Sequence, residues 1–454
     1  MRIQSMLSIS STSDRPAAGQ KSRGKPGRRI IPTTLLVLVL SGASLAQTRR
    51  LDTTTFVVLG EGIAAGMADA GLYYANQKAN FGALVARQMG TIFPQPLVQG
   101  PGFGQPIGYQ QLPVRLPAYP QTSVRVFPRN PGQARGAPSL FVFDLSVPGM
   151  TVGDALSRRP RHPLIHDDDP QQTFVNLALG FPALIFPDDV PLWSQVEYAE
   201  AMNPTVALVA LGYHEAASAL VERDPARIPA PADFRSNFQQ IVQRLRARFS
   251  EVIVCTIPDP VDSAYLTDAE SAARLMRTPS LVFYVGYGMT PEDRITREGL
   301  TEMGGQFQRG RIRELPAGAI MRGAELAPYR ARVAALNTEI QNVARENGAV
   351  VYDMAALFRR VKTQGIAVGG QRVNADYMGG FYSLDGLHPG RTGHALIANE
   401  LIGLINTTYG RSFTPVQVTA AAASDPVFAF RPATGEEYSP AELGISAADA
   451  EVGR

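Results

Sequence analysis

Phe56-Val57-Val58-Leu59-Gly60-Glu61-Gly62 is the stretch that decides the fold. Residues 55–59 are apolar, β-branched or aromatic apart from the leading threonine, and the run stops at a glycine. A short apolar run bounded by a turn residue predicts a strand buried on both faces. Outward from it, residues 140–145, 205–211, 251–257 and 349–352 repeat the pattern. Helical periodicity falls between these runs. Residues 80–89 fit a helix, and residues 233–249 carry Phe234, Phe238, Ile241, Val242 and Leu245 on one stripe. Residues 329–346 carry Val333, Leu336, Ile340 and Val343, and residues 396–404 close the series. Buried strands alternating with helices predict an α/β domain with a parallel sheet covered on both faces. Ligands of such open sheets bind beyond the carboxyl ends of the strands. Three loops of unusual composition follow predicted strands: Gly60-Glu61-Gly62, Ser146-Val147-Pro148-Gly149 and Gly212-Tyr213-His214-Glu215. They are expected to meet on one rim.

The chain has 454 residues, enough for one large domain or two small ones. Its 45% apolar and 18% charged residues indicate a globular protein, and 42 glycines with 35 prolines predict long loops. The single cysteine, Cys255, excludes an internal disulfide and reads as a buried, inert thiol. Residues 1–46 read as an export signal. Lys21, Arg23, Lys25, Arg28 and Arg29 form a basic region, residues 35–40 centre a short apolar core, and Ser44-Leu45-Ala46 is a small-x-small cleavage site. The apolar core is too short to span a bilayer, which takes about 20 residues. A secreted or periplasmic location is expected, with no stable membrane span after signal removal. The signal holds seven Lys/Arg and one Asp; without it the 43 basic and 40 acidic residues become 36 and 39, a net charge of −3. Nothing in that balance suggests nucleic acid, which calls for a basic patch.

Long stretches of weak periodicity interrupt the α/β pattern at residues 91–137, 157–195 and 260–325. Such loops in a compact domain serve as lids or binding loops, or are disordered. The expected organisation is a signal peptide at 1–46, one domain at 47–410 and a tail at 411–454. His162, His166 and Asp167-Asp168-Asp169 place metal-ligand types close together, but a proline-rich loop favours a solvated charged segment. No metal or other cofactor is expected. Trp193 with Tyr198 would suit a sugar face, though core packing is the simpler reading.

A second cluster of chemistry lies near the end: Asp385-Gly386-Leu387-His388-Pro389, then Gly393-His394. Three-residue spacing lets a carboxylate and an imidazole meet across a turn, the carboxylate fixing the tautomer of the base. His394 reads as packing or capping. Taken with the opening strand and turn, this cluster resembles the SGNH/GDSL esterase family over roughly residues 52–410. The resemblance implies a three-layer flavodoxin-like fold. It implies His388 as general base, Asp385 as its orienting partner, and an oxyanion hole from Gly62, Gly149 and His214. Glu61 stands where the family has aspartate, Glu215 likewise, and His214 replaces an asparagine donor. Gly62 occupies the position of the nucleophilic serine, so the acyl-enzyme route is closed there. Ser146 and Ser383 are the nearest serines in sequence and read as turn residues. Two functions stay open. One is an exported hydrolase of acyl or acetyl esters in which His388 activates water. The other is an inactive relative that binds a small-molecule ester, an acylated glycan or a lipid without turnover.

Overall fold

The computed structural model describes residues 51–98, the strand residues 103–104, 108–109 and 117–118, and residues 142–180 and 192–429. The signal-peptide reading of residues 1–46, most of the 91–137 insertion and the end of the tail lie outside the described residues.

Four parallel strands form the central sheet: Phe56–Gly60, Val206–Ala210, Glu251–Cys255 and Val350–Tyr352, hydrogen-bonded in that order. The first two are buried at every position, as their unbroken apolar sequences require of a sheet covered on both faces. Register is direct, with Phe56 opposite Val206 and Gly60 opposite Ala210. One helical group packs together from Gln195–Ala201, Pro231–Arg246 and Gly323–Asn347. A second pairs Phe81–Met89 with Arg391–Tyr409. The stripe predicted for residues 233–249 is the buried face of Pro231–Arg246. The molecule is therefore the expected α/β architecture with a parallel central sheet.

The predicted strand at 140–145 is reduced. Residues 140–141 lie outside the described set, and the remainder runs parallel to the first strand through a single bridge, Val58 to Asp144. The Val58 N–H donates to the Phe143 carbonyl, and the Leu145 N–H donates to the Val58 carbonyl. On the other side, Phe143 and Asp144 both donate to the Pro94 carbonyl, so no further strand can add there in register. The segment still lies beside the first strand on the side away from Val206–Ala210, so the chain crosses over from the first strand to both neighbours. That reversal opens the crevice in which doubly wound sheets bind ligands.

The insertions carry more structure than their sequences suggested. Residues 157–195 contain the helix Pro170–Leu179, with Asp169 as N-cap and proline at its start. Residues 260–325 contain an antiparallel three-stranded sheet from Leu266–Thr267, Arg294–Thr296 and Ile320–Met321. Helices Ala269–Met276 and Arg297–Gln308 accompany it. After Arg411, residues 411–429 lie against helix Arg391–Tyr409. Asn399 and Asn406 exchange hydrogen bonds with Val416 and Phe413, and Asp425 accepts from the N–H and hydroxyl of Thr392 at 2.9 Å each. Among the described residues no helix is long and apolar enough to cross a membrane.

Candidate active site

The first strand ends at Gly60 and turns at Glu61 into a one-turn helix, Gly62–Ala65, which Gly66 closes in the left-handed conformation. Glu61 is the N-cap; its carboxyl accepts from the Ile63 N–H at 3.3 Å. Burial pushes that carboxyl up to about 7, against the charge of His388 and the N–H groups of Ile63 and Gly62. The Gly62 N–H is thus drawn toward Glu61, which competes with any oxyanion role.

Asp385 and His388 meet here. His388 Nδ1 lies 2.9 Å from Asp385 Oδ2, while Asp385 Oδ1 accepts from the N–H groups of Leu387 and His388 at 2.8 Å each. Burial raises the Asp385 pKa, but the charge and hydrogen bonds of His388 outweigh it and hold the carboxyl below its usual range. For His388 burial acts downward, and the Asp385 carboxylate more than reverses it, so the imidazole titrates above its usual value. The loop that carries them is clasped on several sides. Tyr265 donates its N–H to the Gly386 carbonyl at 2.9 Å, Arg297 donates to the Asp385 carbonyl at 3.2 Å, and the Tyr213 hydroxyl donates to the Leu387 carbonyl at 2.8 Å. Tyr265 and Arg297 come from the 260–325 insertion.

His388 Nε2 points at Gly62. A Cβ at position 62 would lie 2.7 Å from Nε2 and 3.2 Å from Met67 Sδ. The space of a serine side chain is therefore already shared by the imidazole and the thioether. The absence of a side chain at 62 is what allows the imidazole to come this close to the end of the first strand.

Gly149 has φ +77, a conformation that favours glycine, and the Gln171 carboxamide lies over it. A Cβ there would sit 2.0 Å from Gln171 Oε1. Its neighbours tie it to the rim: the Val147 N–H donates to the Gly60 carbonyl, and the Val152 N–H donates to Glu215 Oε1 at 2.7 Å. Burial pushes Glu215 up to about 7. His214, largely buried at the start of helix Tyr213–Glu222, is pushed down to about 4, first by burial and then by the charge of His388. It is neutral near pH 7 and keeps one N–H donor.

The other candidates are buried or held in other contacts. Ser383 Oγ accepts from the Asp69 N–H at 2.9 Å, and Ser146 is buried at 2% exposure. His394 is buried against Phe81, ring centroids 6.1 Å apart. Asp169 caps a helix and pairs with Arg158 at 2.5 Å. Among the described residues no group of three or more His, Cys, Asp or Glu could hold a metal ion. Trp193 packs edge-on against buried Tyr198 at 5.3 Å. Cys255 is buried, which pushes its thiol up. Sequence reasoning missed Met67, Asp69, Gln171, Tyr265 and Arg297. Only Gln171 had a local signal, the Asp169-Pro170 helix start two residues before it.

No family model matches the chain, and no curated protein matches it. Solved structures similar to it include LAE5, an alpha/beta hydrolase enzyme from the metagenome of Lake Arreo, Spain, at 14% identity and TM-score 0.35, covering 79% of this chain and 97% of that one. A phospholipase A1 from Streptomyces albidoflavus NA297 matches at 12% identity and TM-score 0.33, covering 79% of this chain and 100% of that one. The psychrotrophic esterase EstA from Pseudoalteromonas sp. matches at 11% identity and TM-score 0.32, covering 79% and 100%. At these scores none of them bears on the chemistry, which rests on this chain's own residues.

Proposed function

We propose that the chain is an exported, SGNH/GDSL-type ester hydrolase in which the Asp385–His388 pair activates water against acyl or acetyl esters. The observation that carries this reading is the carboxylate–imidazole pair, its carboxylate buried, with Nε2 directed at the end of the first strand. His388 Nε2 takes a proton from water as its oxygen adds to the ester carbonyl. The tetrahedral intermediate then collapses, and the imidazolium returns the proton to the departing alkoxide. Asp385 holds Nδ1 protonated and stabilises the imidazolium. The Gly149 N–H and the neutral imidazole of His214 are the oxyanion donors of this scheme. Small-molecule esters, acylated glycans and lipids are the substrate classes, and no cofactor takes part.

One observation favours a second reading, a ligand-binding protein without turnover. The imidazole and Met67 fill the place of a nucleophile, which leaves little room beside Gly62. Turnover of p-nitrophenyl acetate and butyrate by the protein from Gln47 onward, with His388→Ala as control, separates the two. Hydrolysis that depends on His388 is expected. Rates equal to the control would replace the hydrolase with the binding protein.

A further inference from the structure

Directly after the one-turn helix, the chain forms a tight hairpin from Met67–Ala68 and Gly71–Leu72. Its two turn residues, Asp69 and Ala70, both have positive φ, 55° and 59°. That is the backbone of a primed hairpin turn, which usually carries glycine at its second position. Alanine in this region costs about 1–2 kcal/mol. Such strain persists where the surroundings over-determine it, and it is a reason to look for a role.

The surroundings are the loop of the candidate base. Asp69 donates its N–H to Ser383 Oγ at 2.9 Å. Ala70 donates its N–H to Asp385 Oδ2 at 3.1 Å. Leu384 donates its N–H to Asp69 Oδ1 at 2.8 Å. These contacts join residues more than 300 positions apart. The Asp385 carboxylate accepts four N–H groups: three come from Leu387 and His388 in its own loop, and the fourth is Ala70. Among the described residues Ala70 is therefore the one donor from outside that loop to the carboxylate that orients His388.

We propose that the Asp69–Ala70 turn is the positioning element of the Asp385–His388 pair, locking the loop of the base onto the segment that carries Gly62. The Ala70 N–H restrains the Asp385 carboxylate, and Asp69 fastens the turn from both sides through Leu384 and Ser383. Asp69 itself is partly buried, and that loss of solvent pushes its carboxyl up to about 7, with the Asp385 charge acting in the same direction. The charged and titratable groups facing it are Asp385, Asp425, Arg391 and Tyr73, and Glu61, His214 and His394 face His388. The positioning role in catalysis rests on the hydrolase reading; the restraint on His388 does not.

The test uses Asp69→Ala and Asp69→Asn in the protein from Gln47 onward, with two readouts. The first is the titration of the His388 imidazole by NMR, one of five histidines in the chain, assigned with His388→Ala. The second is kcat and KM on p-nitrophenyl esters. In Asp69→Ala the His388 pKa is expected to drop by about half a unit or more as the carboxylate loosens. Its kcat is expected to fall about tenfold, with KM within about threefold. Asp69→Asn restores both, because its carboxamide oxygen still accepts from Leu384. A His388 titration unmoved in folded Asp69→Ala overturns the proposal. Ser383→Ala cuts the same strap elsewhere and decides the matter if Asp69→Ala does not fold, an unmoved titration again overturning it. A wild-type protein without turnover would sink the hydrolase reading, while the titration would still decide the restraint.

Discussion

At position 62 a single missing side chain sets the geometry of the whole site. Nε2 of His388 stands 2.7 Å from where a Cβ would be, and Met67 Sδ stands 3.2 Å from it. The imidazole cannot retreat freely, because Asp385 holds its other nitrogen at 2.9 Å. Gly62→Ser is therefore an overpacking change as well as a chemical one. It is expected to cost about 1–3 kcal/mol in denaturant unfolding and to react slowly with a serine-directed phosphonate. Gly62→Ser with Met67→Ala makes room, and its labelling should be clearly faster. Equal labelling of the two variants would mean that Met67 does not restrict position 62.

Among the elements, helix Arg391–Tyr409 matters because it begins two residues after Pro389, at the exit of the His388 loop. Its N-cap, Gly390, has no side chain to cap with. The cap comes from Asp425, 33 residues downstream of Thr392, which accepts from the Thr392 N–H and hydroxyl and from the Val427 N–H. Asp425 is 2% exposed, so its loss leaves buried donors unpaired. Asp425→Ala is expected to lower unfolding free energy by about 1–3 kcal/mol, read as a shift in denaturation midpoint at unchanged slope. A shift below a few tenths would show that residues 411–429 do not brace this helix. The 260–325 insertion acts on the same loop from another side, through Tyr265 and Arg297.

Across the whole molecule, the rim concentrates buried acid. Glu61, Asp69 and Glu215 are each pushed by burial to about 7. For Glu215 the sign follows directly. The folded protein holds its proton more tightly than the unfolded chain, whose carboxyl titrates near 4.5. Stability from this group is therefore full below 4.5, is lost as pH rises from 4.5 to about 7, and stays lowered above that. Glu215→Gln cannot ionise, yet its carboxamide oxygen still accepts from the Val152 N–H. It is expected to be more stable than wild type by about 1–3 kcal/mol near pH 8, with the gap closing near pH 4. A gap equal at both pH values would mean that the burial of Glu215 is not what couples stability to pH.

The central sheet was legible in the chain because a strand buried on both faces must be apolar at every position, as Phe56–Gly60 and Val206–Ala210 are. The helices were legible for the same reason at a different period. The Asp385–His388 pair was legible because a three-residue spacing brings its groups together within one turn. Helix Pro170–Leu179 went unread despite its Asp-Pro start, since a proline-rich neighbourhood masked the signal. Nothing local announced that Ala70 would serve Asp385, that Gln171 would lie over Gly149, or that Asp425 would cap a helix begun 34 residues earlier. Those partners are joined by hydrogen bonds and close packing between segments remote in sequence, and such contacts leave no periodicity behind. The sequence by itself determined the α/β class and the pairing of Asp385 with His388. Only the tertiary structure decided what restrains that carboxylate, because its outside donor comes from a strained turn 315 residues away.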